Sequence, residues 1–435
     1  MNTIYPGERA YTVYLMKLAL SRALGITPDF TDLYDDSFKE AVTTFQEAKE
    51  LKADGVIGPV TFYNALPYLY GFTLYKTKEG DSFFKLAKMY ETSIAAIERA
   101  NPDISPDNLE TGVNLVIPYS FSLVTDKIPY SYELCQYILY GLVARYPFLD
   151  IERVGSSVMG KTLYAVKAGR GKREYFYNAT HHANEWITTP LLLKFLEEYS
   201  KAYAEGGNIG EYGARLLYNS TSLYLVPLVN PDGLDLVTGA ADKENEYYKR
   251  AVEISKSFPE IPFPTGWKAN ISGFDLNLNY PAEWEEAKRI KSALGFTRPA
   301  PRDFTGYSPL DAPESRAIYD FTLKKNFLLT LSYHTQGEVI YWKFLDYEPE
   351  GALKIAREFA LLSGYSVEEV PAVSGYAGYK DWFILNYMRP GFTIEAGKGI
   401  NPLPISALND IYEKNLGILT YPLAVGELYE LASNP

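Results

Sequence analysis

The chain has only three histidines in 435 residues, and they fall in two short segments. His181 and His182 open the string HHANEW, and His334 follows the apolar run LLTLSY. Glu185 comes three residues after His182, a spacing that lets both side chains converge on one ion from a single turn. Two imidazoles and one carboxylate form the ligand set of many catalytic zinc sites, which leave a fourth position open for water. We therefore predict that His182, Glu185 and His334 bind one Zn²⁺ ion per chain for a hydrolytic reaction, with His181 as a hydrogen-bonding neighbour.

The composition indicates a globular protein of two or three domains. Hydrophobic residues make up 47% and charged residues 22% of the chain, which allows large buried cores. The net charge of -12 argues against nucleic acid as a partner, because phosphate binding relies on clustered Lys and Arg. The single cysteine, Cys135, excludes an intrachain disulfide and is predicted to be buried on an amphipathic helix. We expect no membrane span and find no evident secretion signal in the first residues.

Residues 1–70 are predicted to form a three-helix module. Apolar residues recur at helical spacing in YLMKLALSRAL and in FKEAVTTF, and Asp54-Gly55 and Gly58-Pro59 mark a turn before a short last helix. The string AVTTFQEAKELKADGVIGPVTFYNAL resembles the peptidoglycan-binding domain of bacterial wall hydrolases. This resemblance implies that the module binds peptidoglycan.

Residues 71–119 are predicted to fold as strand, helix, helix and strand. FTLYKT is a short strand, GDSFFKLAKMY a helix capped by Asp81 or Ser82, TSIAAIERANP a second helix, and LVIP a last strand. The segment resembles a LysM module over its whole length. That resemblance implies binding to glycans that contain N-acetylglucosamine.

Residues 120–435 are predicted to form an α/β domain. The strand-like runs EYFYNA, SLYLVPLV, FLLTLSY and GFTIEA alternate with helical segments, which predicts a central mixed, mostly parallel sheet flanked by helices. The candidate zinc ligands lie at or just beyond the carboxyl ends of such runs. Open α/β sheets carry their functional sites at this edge.

A series of strings in this segment resembles the zinc carboxypeptidase family, and within it the bacterial γ-D-glutamyl-meso-diaminopimelate peptidases. These strings are HANEWITTPLLL, LVPLVNPDGLD, WKANISGFDLNLNYP, PRDFTGYSPLDAPE, SYHTQGEVIYW and GFTIEAGKGINPLP. The resemblance implies that His182, Glu185 and His334 are the zinc ligands and that Glu395 is the catalytic glutamate. Such a glutamate takes a proton from water and delivers it to the leaving amine.

The resemblance also implies roles for residues around the metal ligands. Asp275, in FDLNLN, matches the carboxylate that orients the first histidine ligand. Asn277 matches an asparagine that holds a substrate carboxylate, and Tyr376 and Tyr379 lie where the family carries a tyrosine that covers the substrate. Arg302 is a further candidate for substrate binding.

Two arginines of the family are missing. Ser272 replaces the arginine that polarises the scissile carbonyl, and Leu278 replaces the arginine that grips a substrate carboxylate. Loss of a preorganised donor of this kind costs about two to three orders of magnitude in rate. Two interpretations follow: another cation takes their place, with Arg302, Lys380, Arg389 and Lys398 as the candidates, or the substrate presents its carboxylates differently.

These patterns together predict a zinc peptidase that cleaves peptidoglycan stem peptides, with the γ-D-glutamyl-meso-diaminopimelate bond as the expected target. The expected partners are the peptidoglycan glycan and its stem peptides, either at the cell wall or as recycled peptides in the cytoplasm, including that of a sporulating mother cell. Ser272 and Leu278 motivate one alternative, a wall-binding scaffold that holds zinc with little catalysis. A zinc carboxypeptidase on ordinary peptides is the other. No sequence pattern indicates an oligomeric state.

Overall fold

Two compact units make up the protein. One comprises residues up to 129 together with 133–149, and the other comprises residues 130–132 and those from 150 onward. The computed structural model describes residues 3–433, and the side chains of 426–433 lie outside that description. The boundaries proposed from sequence, at residues 70 and 119, stay a prediction.

The amino-terminal part of the first unit is a three-helix module, as predicted. Its helices are α1 (Tyr11–Leu24), α2 (Asp36–Ala48) and α3 (Pro59–Tyr70). Gln46 explains the motif between α2 and α3, because its buried side-chain amide closes the intervening turn. Its Oε1 accepts a hydrogen bond from Gly55 N at 2.8 Å, and its Nε2 donates to the Val56 carbonyl at 3.0 Å.

The rest of the first unit has the predicted order of strand, helix, helix and strand, followed by one more helix. These elements are β1 (Phe72–Lys76), α4 (Phe83–Met89), α5 (Ile94–Ala100), β2 (Asn114–Pro118) and α6 (Tyr132–Arg145). The two strands pair antiparallel, and Ser82 caps α4 by accepting from Lys85 N. Asn101 joins the end of α5 to β2. Its side-chain Oδ1 accepts a hydrogen bond from Val116 N, and its Nδ2 donates one to the Val116 carbonyl. Cys135 is buried on α6, as expected.

The second unit contains an eight-stranded sheet. Its strands are β3 (Asp150–Ser156), β4 (Thr162–Gly169), β5 (Arg173–Ala179), β8 (Thr221–Val226), β9 (Phe327–His334), β10 (Val339–Tyr341), β11 (Ser366–Glu368) and β12 (Gly391–Glu395), and a separate ribbon consists of β6 (Asn208–Ile209) and β7 (Tyr212–Gly213). Its helices are α7 (Thr188–Glu205), α8 (Ala214–Ser220), α9 (Pro231–Thr238), α10 (Glu246–Lys256), α11 (Trp284–Ala293), α12 (Pro313–Leu323), α13 (Ala352–Ser363), α14 (Tyr379–Tyr387) and α15 (Leu408–Ser433). Single 3-10 turns occur at Ala183–Glu185, Leu276–Leu278 and Ile405–Ala407.

The sheet is mixed, with a parallel centre. The strand order is β11-β10-β12-β9-β5-β8-β4-β3, and the four central strands β12, β9, β5 and β8 run parallel. These are the four strand-like runs found in the sequence, and the predicted α/β architecture is confirmed. The short or exposed outer strands were not anticipated, because they lack the apolar runs that mark buried strands.

Both faces of the central sheet are covered. Phe176 of β5 packs on one face against Phe321 of α12 and Tyr379 of α14. The next residue, Tyr177, points to the opposite face and donates to the Leu419 carbonyl of α15 at 2.9 Å. Within the described part of the chain, every helix is too short or too polar to cross a bilayer.

Candidate active site

Three predicted zinc ligands meet at the carboxyl edge of the parallel strands. His182 and Glu185 lie at the 3-10 turn after β5, and His334 ends the neighbouring strand β9. Glu185 Oε1 is 3.0 Å from His182 Nδ1, Glu185 Oε2 is 2.9 Å from His334 Nδ1, and the two Nδ1 atoms are 3.1 Å apart. All three side chains are buried, and their ligand atoms lie within 4.8 Å of one another. Two imidazole nitrogens and a carboxylate that converge in this way fit a zinc ion.

Buried hydrogen bonds hold the loop that carries His182 and Glu185. The backbone turns at Thr180, which adopts a left-handed φ of 57°, a conformation that is rare outside glycine and frequent at functional sites. Its hydroxyl is 2.8 Å from those of Thr188 and Thr189 at the start of α7. Asn230 donates to the His181 carbonyl at 3.1 Å and to the Ala269 carbonyl at 3.0 Å. These contacts fix the loop that carries His182 and Glu185.

Asp275 contacts His182, the first of the predicted histidine ligands. Its Oδ1 lies 3.1 Å from His182 Nε2, and its Oδ2 accepts from Asp303 N at 3.0 Å. Burial alone would raise the pKa of Asp275, but the charges and hydrogen bonds of His182 and Lys268 hold that pKa well below its usual range. The carboxylate favours the tautomer with its proton on Nε2, which leaves the Nδ1 lone pair for the metal. His181 instead lies 2.9 Å from the Tyr280 hydroxyl through its Nε2.

Glu395 ends β12, and the sheet register pairs it with His334. It lines the same cleft as His182, His334 and Asp275. Burial, followed by the charge of Glu185, raises the pKa of Glu395 to about 8. A carboxylate with a raised pKa beside the metal ligands is well suited to take and return a proton near neutral pH.

The cleft above the ligands has a volume of about 220 Å³ and a highly charged lining. Asn277 and Arg302, the predicted substrate-binding residues, line it, and so does Leu278. The lining contains four cationic side chains, which are Lys268, Lys291, Arg302 and Lys380. Lys291 and Arg302 both pair with Asp303 at 2.6 Å, and Lys380 pairs with Asp381 at 2.6 Å.

Lys268 is a cation of the cleft that no sequence pattern indicated. Its Nζ lies 3.0 Å from Glu185 Oε1, and its side chain is 19% exposed. Burial lowers the pKa of Lys268, but the charges of Glu185 and Asp275 raise it by a larger amount. The net pKa lies above its usual value, so the ammonium stays charged. The backbone of this residue is also fixed, since Ala183 N donates to its carbonyl and its own N–H donates to the Pro301 carbonyl. The string WKAN placed Lys268 four residues before Ser272, but spacing alone could not show its proximity to Glu185.

Neither predicted substrate-covering tyrosine is in the cleft. Tyr379 is fully buried, with its hydroxyl 3.1 Å from that of Thr322, and Tyr376 packs against the cluster around Trp284. Tyr379 was therefore wrong as a substrate contact, and Tyr376 is not part of the lining. Tyr341 of β10 lines the cleft instead, opposite Thr393 of β12 in the sheet register.

Two of the proposed replacement cations were also wrong. Arg389 precedes β12 and donates to the Phe327 carbonyl at the amino end of β9, which is the opposite edge of the sheet from the metal ligands. Lys398 is 72% exposed and pairs with Glu338 at 2.7 Å. Neither side chain lines the cleft, whereas the other two candidates, Arg302 and Lys380, do.

A His-Glu-His ligand set at the carboxyl edge of a parallel sheet, with a carboxylate in the same cleft, defines a zinc metallopeptidase. The sequence profile described as zinc carboxypeptidase matches residues 136–408. The chain belongs to the zinc carboxypeptidase family. Profiles of the LysM domain and of a peptidoglycan binding domain match residues 75–118 and 10–63. The predicted family, both binding modules and the zinc cofactor are confirmed.

Individual relatives agree with this assignment. The chain is 40% identical over 299 residues to γ-D-glutamyl-L-diamino acid endopeptidase 1 of Lysinibacillus sphaericus, a match of 69% of this chain and 73% of that protein. It is 41% identical over 276 residues to the uncharacterized protein YqgT of Bacillus subtilis, a match of 63% of this chain and 72% of the relative. The solved structure of bovine thrombin-activatable fibrinolysis inhibitor aligns with a TM-score of 0.52 and 20% identity, over 68% of this chain and 96% of that one. This last similarity shows the shared fold.

Proposed function

We propose that this metallopeptidase cleaves the γ-D-glutamyl-meso-diaminopimelate bond of peptidoglycan stem peptides. The cations in the lining of the cleft carry this proposal. A stem peptide has a free carboxylate on the D-glutamyl residue beside the scissile bond and another on the diaminopimelate side chain. Four cations line the cleft beside four carboxylates, and Lys268, Arg302 and Lys380 keep N–H donors that their carboxylate partners do not use, which suits such an anionic substrate. The endopeptidase named for a γ-D-glutamyl-L-diamino acid bond, 40% identical to this chain, supports the same target.

In this proposal Glu395 moves the proton that the reaction requires. His182, Glu185 and His334 would hold the zinc ion, which when bound supplies the Lewis acidity that makes water nucleophilic near neutral pH. Glu395 accepts a proton from the attacking water as the water oxygen adds to the amide carbon. Glu395 then gives that proton to the departing nitrogen as the C–N bond breaks, releasing a carboxylic acid and an amine.

Lys268 supplies the positive charge that Ser272 lacks. An ammonium group has three N–H donors, and among the described residues its ion pair is with Glu185 alone. The side chain lines the cleft together with Glu395. It is therefore placed to oppose the negative charge that develops on the carbonyl oxygen during attack.

Arg302 and Lys380 serve the carboxylates that the arginine missing at Leu278 would otherwise bind. Arg302 uses Nε for Asp303 Oδ2, which leaves the two terminal nitrogens of a guanidinium that is 45% exposed. Lys380 is almost completely buried and uses two donors, one on the Lys343 carbonyl and one on Asp381, each at 2.6 Å. Its third donor can bind a carboxylate in the cleft. A clamp made of separate cations favours recognition within a stem peptide over simple trimming of a carboxyl terminus.

The test is to incubate the purified full chain, loaded with zinc, with a defined muropeptide and to analyse the products by mass spectrometry. We expect a mass change at the D-glutamyl-diaminopimelate bond that a chelator abolishes and added zinc restores. An ordinary peptide with a free carboxyl terminus serves as the comparison substrate. Cleavage of that peptide alone would overturn the proposal in favour of a general carboxypeptidase. No cleavage of either substrate, with zinc bound at one ion per chain, would favour the scaffold alternative.

The two binding modules associate this peptidase with the cell wall. In the proposal they hold peptidoglycan while the catalytic unit cleaves its stem peptides. Tethering raises the local substrate concentration, so each contact with the glycan can be individually weak. Comparison of soluble muropeptide with intact wall sacculi as substrate measures this contribution, and equal rates on the two substrates would contradict it.

A further inference from the structure

A second cleft lies within the first unit, where the three-helix module meets the strand-and-helix module. We call it the amino-terminal cleft. Its volume is about 770 Å³, within the range of roughly 300–1,000 Å³ typical of small-ligand sites. The part of the lining that matters here comes from α3, β1, α4 and the segment after β2, namely Tyr63, Tyr68, Leu74, Met89, Tyr119 and Phe121.

The floor of this cleft is firmly built. The rings of Tyr68 and Tyr119 are parallel, with centroids 5.2 Å apart and planes within 1°. Arg22 also lines the cleft and donates to the carbonyls of Tyr68 at 2.9 Å and Leu123 at 2.8 Å. Lys49 lies 3.0 Å from the Tyr68 hydroxyl. The two modules therefore form one wall each of a shared site, and both basic side chains are held by protein groups.

The rim of the cleft exposes side chains that are usually covered. Tyr63 is 73%, Leu74 66% and Met89 54% exposed. Polar groups of Thr73 and Ser120 line the cleft between them. Aromatic and aliphatic faces interleaved with hydrogen-bonding groups suit a ligand that has apolar faces and polar edges.

The charge of the cleft narrows the ligand class further. Its two cations, Arg22 and Lys49, are engaged as described, and Glu91 adds one exposed carboxylate. Two cations against one carboxylate leave an excess of only one positive charge, which is too small to select a phosphate-rich or multiply anionic ligand. Sugar rings offer apolar C–H faces for stacking and hydroxyl and acetamido edges for hydrogen bonds. The two modules that form the walls match profiles named for LysM and for peptidoglycan binding.

We propose that the amino-terminal cleft binds a segment of an uncharged, N-acetylated glycan strand that both modules contact at once. On this view the modules form one composite glycan site rather than two independent ones. The inference goes beyond the proposed peptidase function, because it does not depend on which bond the catalytic unit cleaves.

The test uses the full chain carrying Glu395→Gln, titrated with an N-acetylglucosamine tetramer in a calorimeter. Tyr63→Ser and Leu74→Ser change exposed rim residues, so both variants should fold, which circular dichroism checks. We expect each to weaken binding by about tenfold, through the loss of one stacking contact at Tyr63 or one apolar contact at Leu74. Phe84→Ser is the matched control, because Phe84 is an equally exposed aromatic, at 70%, that does not line the cleft. Its binding should equal that of the parent.

Three outcomes would overturn the inference. Loss of binding in Phe84→Ser with normal binding in the two rim variants would place the glycan on the strand-and-helix module alone. Displacement of a rim-dependent ligand by a sugar-free stem peptide, with no binding of the tetramer, would make the occupant a peptide. No binding of the tetramer at millimolar concentration would exclude a glycan site. Cleavage of a sugar-free stem peptide by the native chain is measured separately, so failure of this inference is distinct from failure of the peptidase proposal.

Discussion

The two clefts of this protein are lined by different kinds of side chain. The catalytic cleft is surrounded by acids and bases that are mostly buried and paired, such as Lys268 with Glu185 and Lys380 with Asp381. The amino-terminal cleft exposes rings and aliphatic side chains, such as Tyr63 and Leu74. Electrostatic interactions are strong in the first setting because water is largely excluded, whereas stacking in the second adds small increments. A single substitution should therefore lower activity far more in the catalytic cleft than it lowers binding in the amino-terminal cleft.

The largest expected effect is that of Glu395→Gln. Glutamine keeps the size of the side chain but cannot accept the proton from water, so kcat should fall by about two to four orders of magnitude. Zinc content, measured by atomic absorption, should remain one ion per chain, because Glu395 is not among the converging ligands. Activity near the native level would show that another group is the base.

Lys268→Met should have the next largest effect. Removal of the cation should lower kcat by about two to three orders of magnitude, with KM changing less, because the charge is required mainly in the transition state. Lys268→Arg should restore part of the rate. The readout that separates catalysis from support of Glu185 is zinc affinity by competition with a chelator. If Lys268→Met weakens zinc binding and leaves the rate of the zinc-saturated enzyme unchanged, Lys268 is a positioning residue for Glu185.

A buried carboxyl group near the catalytic cleft should make stability depend on pH. Burial and, more weakly, Asp232 raise the pKa of Glu314 to about 7, against the hydrogen bonds from Asn270 and Val158. Because its folded pKa lies above its unfolded value of about 4.5, the folded state holds the proton more tightly. The resulting stabilisation is complete below pH 4.5 and is lost as the pH rises through 7, by about 3 kcal/mol at about 1.4 kcal/mol per pKa unit.

The measurement is the free energy of unfolding of the native chain and of Glu314→Gln between pH 4.5 and 8. Glutamine places an amide nitrogen opposite one of the two donors, so this variant should be less stable by a constant amount. The native chain should lose stability as the pH rises whereas the variant should not, so the difference in their free energies of unfolding should shrink. Parallel pH profiles would show that Glu314 does not titrate in this range.

The smallest expected effect lies in the amino-terminal cleft. Tyr63→Ser should leave kcat on a soluble muropeptide unchanged and should lower the rate on intact sacculi by no more than about tenfold, the share of one stacking contact. The two rates are measured side by side by product release. An equal decrease in rate on the soluble substrate and on sacculi would contradict the proposed difference between the clefts.

Much of the fold could be predicted because the relevant signals are local. The four central strands are long apolar runs, and the helices of the first two modules carry caps and turn residues such as Ser82 and Gly58-Pro59. The outer strands β3, β10 and β11 were missed, since exposed or three-residue strands have no apolar run to mark them, and β4 was missed because Lys167 interrupts its apolar residues. The placement of Tyr379 in the core rather than the cleft depends on how α14 packs against β5, which no local pattern contains.

The sequence by itself determined the family and predicted the zinc ligands, because His182 and Glu185 share one turn and the family's other motifs directly follow strands. The tertiary structure alone decided which side chains surround that metal site. Lys268 reaches Glu185 because a hydrogen bond to the Pro301 carbonyl fixes its loop, and Arg389 is excluded because it lies at the amino end of its strand. Contacts between residues distant in the chain depend on how strands and loops are brought together, and only the folded arrangement specifies them.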